Sequence, residues 1–218
     1  MAYRAVLWDF GGVLSSSPFE AFARYESERG LPDGFLRRVN ARKPDDNAWA
    51  RLERNEVDLE AFAELFAAES AVLGHRVDGH DVLALLGGEL RPAMLEAVRA
   101  CRAAGLRTAL LTNNVVTMPA DGEGDDEGWR TAVPLEELFD VVVESSKERV
   151  RKPDPAAYSL VLERLGVAAE EVVFLDDLGI NLKPARAMGM TTIKVDDPDE
   201  ALAQLAATLG LPLGAGAP

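Results

Sequence analysis

The chain has a single cysteine, Cys101, so no intramolecular disulfide frames the fold, and a reducing compartment suits it. Cys101 falls within a helical pattern over 94–104 and reads as a small core residue. Histidine is nearly as scarce: His75 and His80 are the only two, close together in a polar stretch. That disfavours both a zinc site built on histidine and cysteine and a Ser-His-Asp triad. Positive charge is in deficit, with 23 Lys and Arg against 37 Asp and Glu and a net charge of −14. Such a balance repels phosphate backbones and argues against nucleic acid as a partner, while leaving room for a local cationic pocket that holds a small anion. No apolar run reaches the length of a membrane-spanning helix, and no basic, cleavable leader precedes the first apolar segment. The expectation is a cytoplasmic protein with no membrane association.

Apolar residues make up 48% of the 218 positions, enough for a substantial core in one large domain or in a domain carrying an insertion. Five apolar runs read as buried parallel strands: Tyr3 to Trp8, Arg107 to Leu111, Asp140 to Glu144, Val172 to Leu175 and Thr191 to Val195. Helical patterns separate the later ones: Met94 to Ala104 before Gly105, Pro155 to Leu165 before Gly166, and Leu182 to Met188 before Gly189, each stopped by a glycine. The alternation predicts an α/β fold, a doubly wound parallel Rossmann-like sheet with right-handed crossovers.

Between the first and second strands the pattern changes. Residues 16–90 carry helical spacing only, as in Phe19, Phe22, Ala23 and Glu26, or Leu59, Phe62, Leu65 and Phe66. A stretch this long is too large for a loop, so a small helical cap domain is expected over 16–90, with 1–15 and 91–218 forming the α/β core. Asp121 to Gly128 is acidic and glycine-rich but lacks EF-hand ligand spacing, and reads as a solvated loop. The tail from Gly210 to Pro218 reads as partly disordered.

Four of the strand runs lead into polar groups: Asp9 after the first, Thr112-Asn113-Asn114 after the second, Lys152 after the third through a short loop, and Asp176-Asp177 after the fourth. In a parallel sheet these ends converge on one crevice. Their chemistry is complementary. Asp9 can act as a nucleophile if a cation offsets its charge, and Asp177 can share a hard divalent ion with it, together with a backbone carbonyl and water. Magnesium favours such oxygen-only coordination. Thr112 and Asn113 can donate to phosphoryl oxygens, and Lys152 supplies positive charge to a substrate. Individually each has an ordinary reading, Asp9 as a turn former, Lys-Pro-Asp-Pro as a helix start with Asp154 as its cap. What is specific is all four in this order on four strand ends.

These motifs resemble those of the haloacid dehalogenase superfamily, in which a helical cap lies between the first two. The segments Phe174-Leu-Asp-Asp-Leu-Gly-Ile-Asn-Leu-Lys-Pro-Ala-Arg-Ala-Met-Gly189 and Lys152-Pro-Asp-Pro-Ala-Ala-Tyr158 are similar to the subgroup that includes the phosphatase domain of soluble epoxide hydrolase and the domain associated with acyl-CoA dehydrogenases. The resemblance covers essentially the whole chain, most weakly the cap. It implies a phosphohydrolase acting on a small phosphorylated metabolite through an aspartyl-phosphate on Asp9. Asp9, Asp177 and the Gly11 carbonyl would bind magnesium, Asp176 would support the metal site, and Asn181 would organise the loop after the fourth strand. Thr112, Asn113 and Lys152 would hold the phosphoryl oxygens.

Gly11 departs from the pattern. Phosphatases of this superfamily usually carry aspartate there, to protonate the leaving group and later activate water, help worth roughly 10²–10⁴-fold. Glycine keeps the carbonyl and removes the proton donor, which implies slow turnover of ordinary monoesters or a substrate with a good leaving group. Two alternatives stay open: a hydrolytic 2-haloacid-type dehalogenase, which needs no such acid, and a non-catalytic protein that binds a phosphorylated metabolite. A phosphonate hydrolase would need a Schiff-base lysine in the cap. Lys43 is the only lysine there, and nothing around it resembles that motif. Specificity would come from cap residues such as Arg37, Arg38, Arg42, Asn47 and Trp49.

Overall fold

The computed structural model describes residues 2–114 and 135–213. Five parallel strands, β1 (Ala5–Trp8), β2 (Arg107–Thr112), β3 (Val141–Glu144), β4 (Val172–Asp176) and β5 (Thr191–Lys194), form one sheet in the order β3-β2-β1-β4-β5. Among the described residues the α-helices are, in chain order, α1 (Pro18–Arg29), α2 (Phe35–Asn40), α3 (Ala48–Glu53), α4 (Leu59–Val72), α5 (Gly79–Ala84), α6 (Pro92–Ala103), α7 (Leu135–Leu138), α8 (Ser145–Glu148), α9 (Pro155–Leu165), α10 (Gly179–Ala187) and α11 (Pro198–Leu209).

All five strands fall where the apolar runs put them. β1 is the central strand and all four of its residues are buried, because successive side chains point to opposite faces and both faces are covered. Val6 and Trp8 join Met94, Val98 and Cys101 of α6 and Leu202 and Leu205 of α11. Ala5 and Leu7 join Tyr158 and Val161 of α9 and Leu182 and Ala185 of α10 on the other side. β1 starts at Ala5 rather than Tyr3, whose hydroxyl instead meets the Thr191 hydroxyl at 2.8 Å. β3 starts at Val141 rather than Asp140, whose carboxylate accepts the Thr108 N–H at 2.8 Å and pairs with Arg102 at 3.0 Å.

Two helices begin earlier than expected, α6 at Pro92 rather than Met94 and α10 at Gly179 rather than Leu182. In α10 the Asn181 and Leu182 N–H groups already bond back to the Leu178 carbonyl at 3.0 and 3.2 Å. Asn181 therefore stands on the first turn of a helix. α11 has no counterpart in the sequence reading, although Asp197 caps it by accepting the Asp199 and Glu200 N–H groups and Pro198 opens it. Of the tail from Gly210, residues 210–213 are packed: Gly210 ends α11, Leu211 N–H bonds to the Ala206 carbonyl at 3.1 Å, and Leu213 is buried. Residues 214–218 and the acidic stretch Asp121 to Gly128 lie outside the described residues.

The long stretch between β1 and β2 is helical, as expected, comprising α1 to α5 before α6. It has its own core, in which Trp49, Phe62 and Phe66 meet with ring centroids 4.7 to 6.4 Å apart among Phe22, Phe35, Leu36, Val39 and Val82. Asn47, Asp58 and Asp78 start α3, α4 and α5 by accepting backbone N–H groups, the usual work of a short polar side chain before a helix. The two ends of the stretch run side by side: Ser15 bridges Leu90, Ser16 N–H bonds to the Glu89 carbonyl at 2.8 Å, and Arg91 N–H to the Leu14 carbonyl at 2.8 Å. Among the described residues no helix is long and apolar enough to cross a membrane.

Candidate active site

The strand order reverses at β1, with β2 and β3 on one side and β4 and β5 on the other. Such a reversal leaves a crevice at the C-terminal ends of the strands, the usual ligand position in open α/β sheets. Asp9 and Asp176 flank it. The register pairs Trp8 with Leu175, so the residue after each stands level, and Asp9 N–H bonds to the Leu175 carbonyl at 3.0 Å. The period of two carries Asp9 and Asp176 onto the same face as Leu7 and Phe174, the side covered by α9 and α10.

Lys152 arrives on that face from the loop that starts α9, after the single turn of α8 has intervened behind β3. It is 1% exposed, and its ammonium lies 2.7 Å from Asp9 Oδ1 and 2.7 Å from Asp176 Oδ2. Asp176 is held from behind as well: Asn181 Nδ2 donates to it at 3.0 and 3.1 Å, and Leu178 N–H at 2.8 Å. The Tyr158 hydroxyl then donates to the Asn181 carbonyl at 2.7 Å, and its ring meets Phe174 edge to face at 5.8 Å. Tyr158 thus forms the buried base of a chain running through Asn181 and Asp176 to Lys152 and Asp9.

Thr112 ends β2 in register with Glu144 and is buried. Asn113 follows Thr112, and its amide meets the lysine loop. Its Nδ2 donates to the Lys152 carbonyl and its Oδ1 accepts the Lys152 N–H, both at 2.9 Å. The amide therefore holds the main chain of the lysine loop. Asn114 turns toward β3, donating to Glu144 and accepting from Ser146.

After Asp9 the chain makes a tight turn, closed by Ser15 N–H on the Phe10 carbonyl at 3.0 Å and capped by Asp9 Oδ1 on Phe10 N–H at 2.7 Å. Gly12 has φ +77, and a Cβ there would stand 2.3 Å from Asp177 Oδ2, so glycine is required for the turn and the carboxylate to coexist. Gly11 is different: φ is −68, and a Cβ would meet nothing within 4 Å. Its backbone accepts any residue, and the space beside it is open. Arg91, just past the helical insertion, donates to the Gly12 carbonyl at 2.6 Å, and Ser17, at its start, donates to Asp177 Oδ2 at 3.3 Å.

The electrostatics follow from burial. Desolvation pushes the Asp9 carboxyl well above the ordinary carboxylate range; Lys152 draws it back and Asp176 adds to the rise. Burial works against the Lys152 ammonium, but Asp176 and Asp9 outweigh it and hold the group above its usual value. Asp177 is raised to about 6, mainly by burial and then by Asp176. Oxygens of Asp9, Asp176 and Asp177 lie within 4.8 Å of one another. With one ammonium among three carboxylates, the ionised cluster lacks cationic charge, and its donors are all oxygen, which fits a hard divalent cation. Asp176 spends its oxygens on Lys152, Asn181 and Leu178, so Asp9 and Asp177 are better placed to hold an ion.

The insertion residues named from the sequence mostly serve the insertion itself. Trp49 is in its aromatic core and Asn47 caps α3, donating also to the Asn40 and Arg42 carbonyls. Arg37 stacks over Phe19 at 4.3 Å, Arg38 donates to the Asp33 carbonyl, and Arg42 and Lys43 are exposed. Tyr158, Ser17, Arg91, Glu53 and Arg151 were missed as site neighbours; only Tyr158 and Arg151 had a signal, lying beside the Lys152 motif.

A family model for haloacid dehalogenase-like hydrolases matches residues 3–189. Among characterised proteins the chain is 40% identical to mouse acyl-CoA dehydrogenase family member 10, over 100% of this chain and 20% of that protein. It is 33% identical to pig bifunctional epoxide hydrolase 2, over 98% of this chain and 40% of that one. The chain thus spans less than half the length of these two relatives. Phosphatase MT3486 of Mycobacterium tuberculosis is 29% identical over 90% of this chain and 88% of its own. Among solved structures, the L-2-haloacid dehalogenase of Xanthobacter autotrophicus is 26% identical with a TM-score of 0.57, covering 97% and 85% of the two chains. The chain belongs to the haloacid dehalogenase-like hydrolase family.

Proposed function

We propose that the protein is a magnesium-dependent phosphohydrolase that acts on a small phosphorylated metabolite through an aspartyl-phosphate. The observation that carries this reading is the Lys152 ammonium held 2.7 Å from both Asp9 and Asp176, with the Asp177 carboxylate alongside at the sheet's switch point. The relatives named as phosphatase or as bifunctional hydrolase support it.

In this reading Asp9 attacks phosphorus, the bond to the leaving oxygen breaks, and water then cleaves the aspartyl-phosphate to return Asp9 and release phosphate. Lys152 orients Asp9 and offsets phosphoryl charge, while Thr112 and the backbone after β2 bind the phosphoryl oxygens. Asp9, Asp177 and the Gly11 carbonyl would hold magnesium, whose positive charge would offset that of nucleophile and substrate. Asp176, Asn181 and Tyr158 keep the lysine in place. The helical insertion 16–90 serves as the cap over the core of 1–15 and 91–218, and supplies substrate specificity.

Gly11 favours a second reading, hydrolytic dehalogenation, because Asp9 would then displace halide without a leaving-group acid. The paired acids Asp176 and Asp177 weigh against it, since they suit a metal site. A substrate screen that measures phosphate and halide release, with wild type, Asp9→Asn and Gly11→Asp, separates the readings. Phosphate release that needs magnesium, disappears in Asp9→Asn and rises in Gly11→Asp is expected. Halide release without phosphate release would overturn the first reading.

A further inference from the structure

We propose that Glu53, at the end of α3 in the helical insertion, is a positioning residue for Lys152 and acts through Arg151. The inference rests on the phosphohydrolase reading for Lys152's role, and on contacts of its own.

Arg151 directly precedes the lysine, and its side chain leaves the sheet to meet the insertion. Its Nε lies 2.6 Å from Glu53 Oε2, and its Nη1 donates to the Pro44 carbonyl at 2.9 Å. The two side chains are only 16% and 15% exposed. Burial raises the Glu53 carboxyl, Arg151 draws it back, and the Lys152 charge is close enough to draw it back further. A buried guanidinium–carboxylate pair of this kind resists the loss of either partner, because the other charge would be left desolvated. α3 also packs against α8, the single turn that leads into the lysine loop.

The loop is therefore anchored from two sides. Asn113, on the sheet, takes both main-chain groups of Lys152; Glu53 and Pro44, on the insertion, take the side chain of the preceding residue. The Asp154 N–H closes the turn on the Arg151 carbonyl at 2.9 Å, and Asp154 then caps α9. Beside the pair lies a cavity of about 360 Å³, lined among others by Asp45 and Arg54 from the insertion and by Arg149, Arg151 and Pro153 from the loop. Close apolar packing does not fill this seam, so the directional contacts of Arg151 set how the loop meets the insertion. Lys152 must reach two carboxylates at 2.7 Å from this loop, and a displacement of about an ångström can cost a catalytic group roughly 100-fold. The Glu53 contact thus reports docking of the insertion to the lysine.

Two measurements test this, on the full chain. The first needs no turnover: pulsed acylation with acetic anhydride, read by peptide mass spectrometry, compares Lys152 with Lys183 and Lys194 in the same molecule. In wild type Lys152 is the protected one. Glu53→Gln and Arg151→Lys should each raise its labelling relative to Lys194 by at least about 10-fold, and the swapped pair Glu53→Arg with Arg151→Glu should restore protection. The second is phosphate release with magnesium: Glu53→Gln should lower kcat by roughly 10- to 100-fold, with magnesium affinity by titration calorimetry unchanged. Unaltered Lys152 protection in both single variants, with Asp9→Asn still inactive, would overturn the positioning role alone. Turnover that survives in Asp9→Asn would overturn the phosphohydrolase reading, and the labelling would still judge Glu53.

Discussion

Adjacent glycines in the turn after Asp9 carry opposite demands, and adding one methyl to each separates them. In Gly12→Ala the new Cβ would sit 2.3 Å from Asp177 Oδ2 and 2.4 Å from its Cγ, at φ +77. The left-handed backbone costs an alanine roughly 1–2 kcal/mol. For a chain of this size each kcal/mol lowers Tm by about 2–4 °C, so a fall of about 2–8 °C is expected. The larger consequence is local. Asp177 must retreat by about an ångström to clear the methyl, whereas magnesium demands near-ideal octahedral geometry at about 2.0–2.1 Å. Disturbing the support of a metal ligand typically costs 10–100-fold in affinity, and that range is expected for magnesium here. Gly11→Ala is the control. Its φ of −68 suits alanine and its Cβ meets nothing within 4 Å, so stability should hold or rise by about 0.4–1 kcal/mol. Titration calorimetry with magnesium and thermal melts of both variants provide the comparison. Equal magnesium affinity in the two variants, both at the wild-type level, would refute the placement of Asp177 as a ligand packed against Gly12.

Two further predictions concern the support of the site and its protonation. Tyr158→Phe removes the hydroxyl that donates to the Asn181 carbonyl, a buried hydrogen bond whose loss should cost about 0.5–1.5 kcal/mol in urea unfolding, with kcat falling while magnesium affinity stays near wild type. Asp177, raised to about 6 by burial and by Asp176, binds its proton more tightly in the folded chain than in the unfolded one. Its contribution to stability without metal is therefore fully present below the ordinary aspartate pKa and lost as pH rises through about 6. Melts of wild type against Asp177→Asn between pH 4 and 8 should show this trend in the difference between the two, since the other buried carboxyls are common to both. Magnesium competes with the same proton, so its affinity should weaken as pH falls below about 6; an affinity flat across that range would exclude Asp177 as a ligand.

The strands were readable because a central parallel strand is buried on both faces and so appears as an unbroken apolar run, as Ala5 to Trp8 does. The polar groups were readable because each lies within a few residues of such a run. What the sequence leaves open is which distant groups meet. Asn113 after a strand looks like a donor awaiting a ligand; only the approach of Lys152, 39 residues away, shows its amide engaged by the lysine's main chain. Glu53 and Arg151 lie 98 residues apart, and nothing local to Glu53 marks it. α11 is a different case, since Asp197, Pro198 and Gly210 spell a capped helix around only three buried positions, Ala201, Leu202 and Leu205. Its apolar stripe is thin because one face rests on the edge of the core beside β5 while the rest meets solvent.

The central claim is that Asp9 carries the phosphoryl group during turnover. Wild-type protein with magnesium and a phosphorylated substrate found in the screen can be quenched with borohydride, which reduces an aspartyl-phosphate to homoserine, and the peptide containing Asp9 then weighed. Conversion at Asp9 that requires both substrate and magnesium is the predicted result. Phosphate released with Asp9 unmodified at every time point, or released by Asp9→Asn at the wild-type rate, would contradict it.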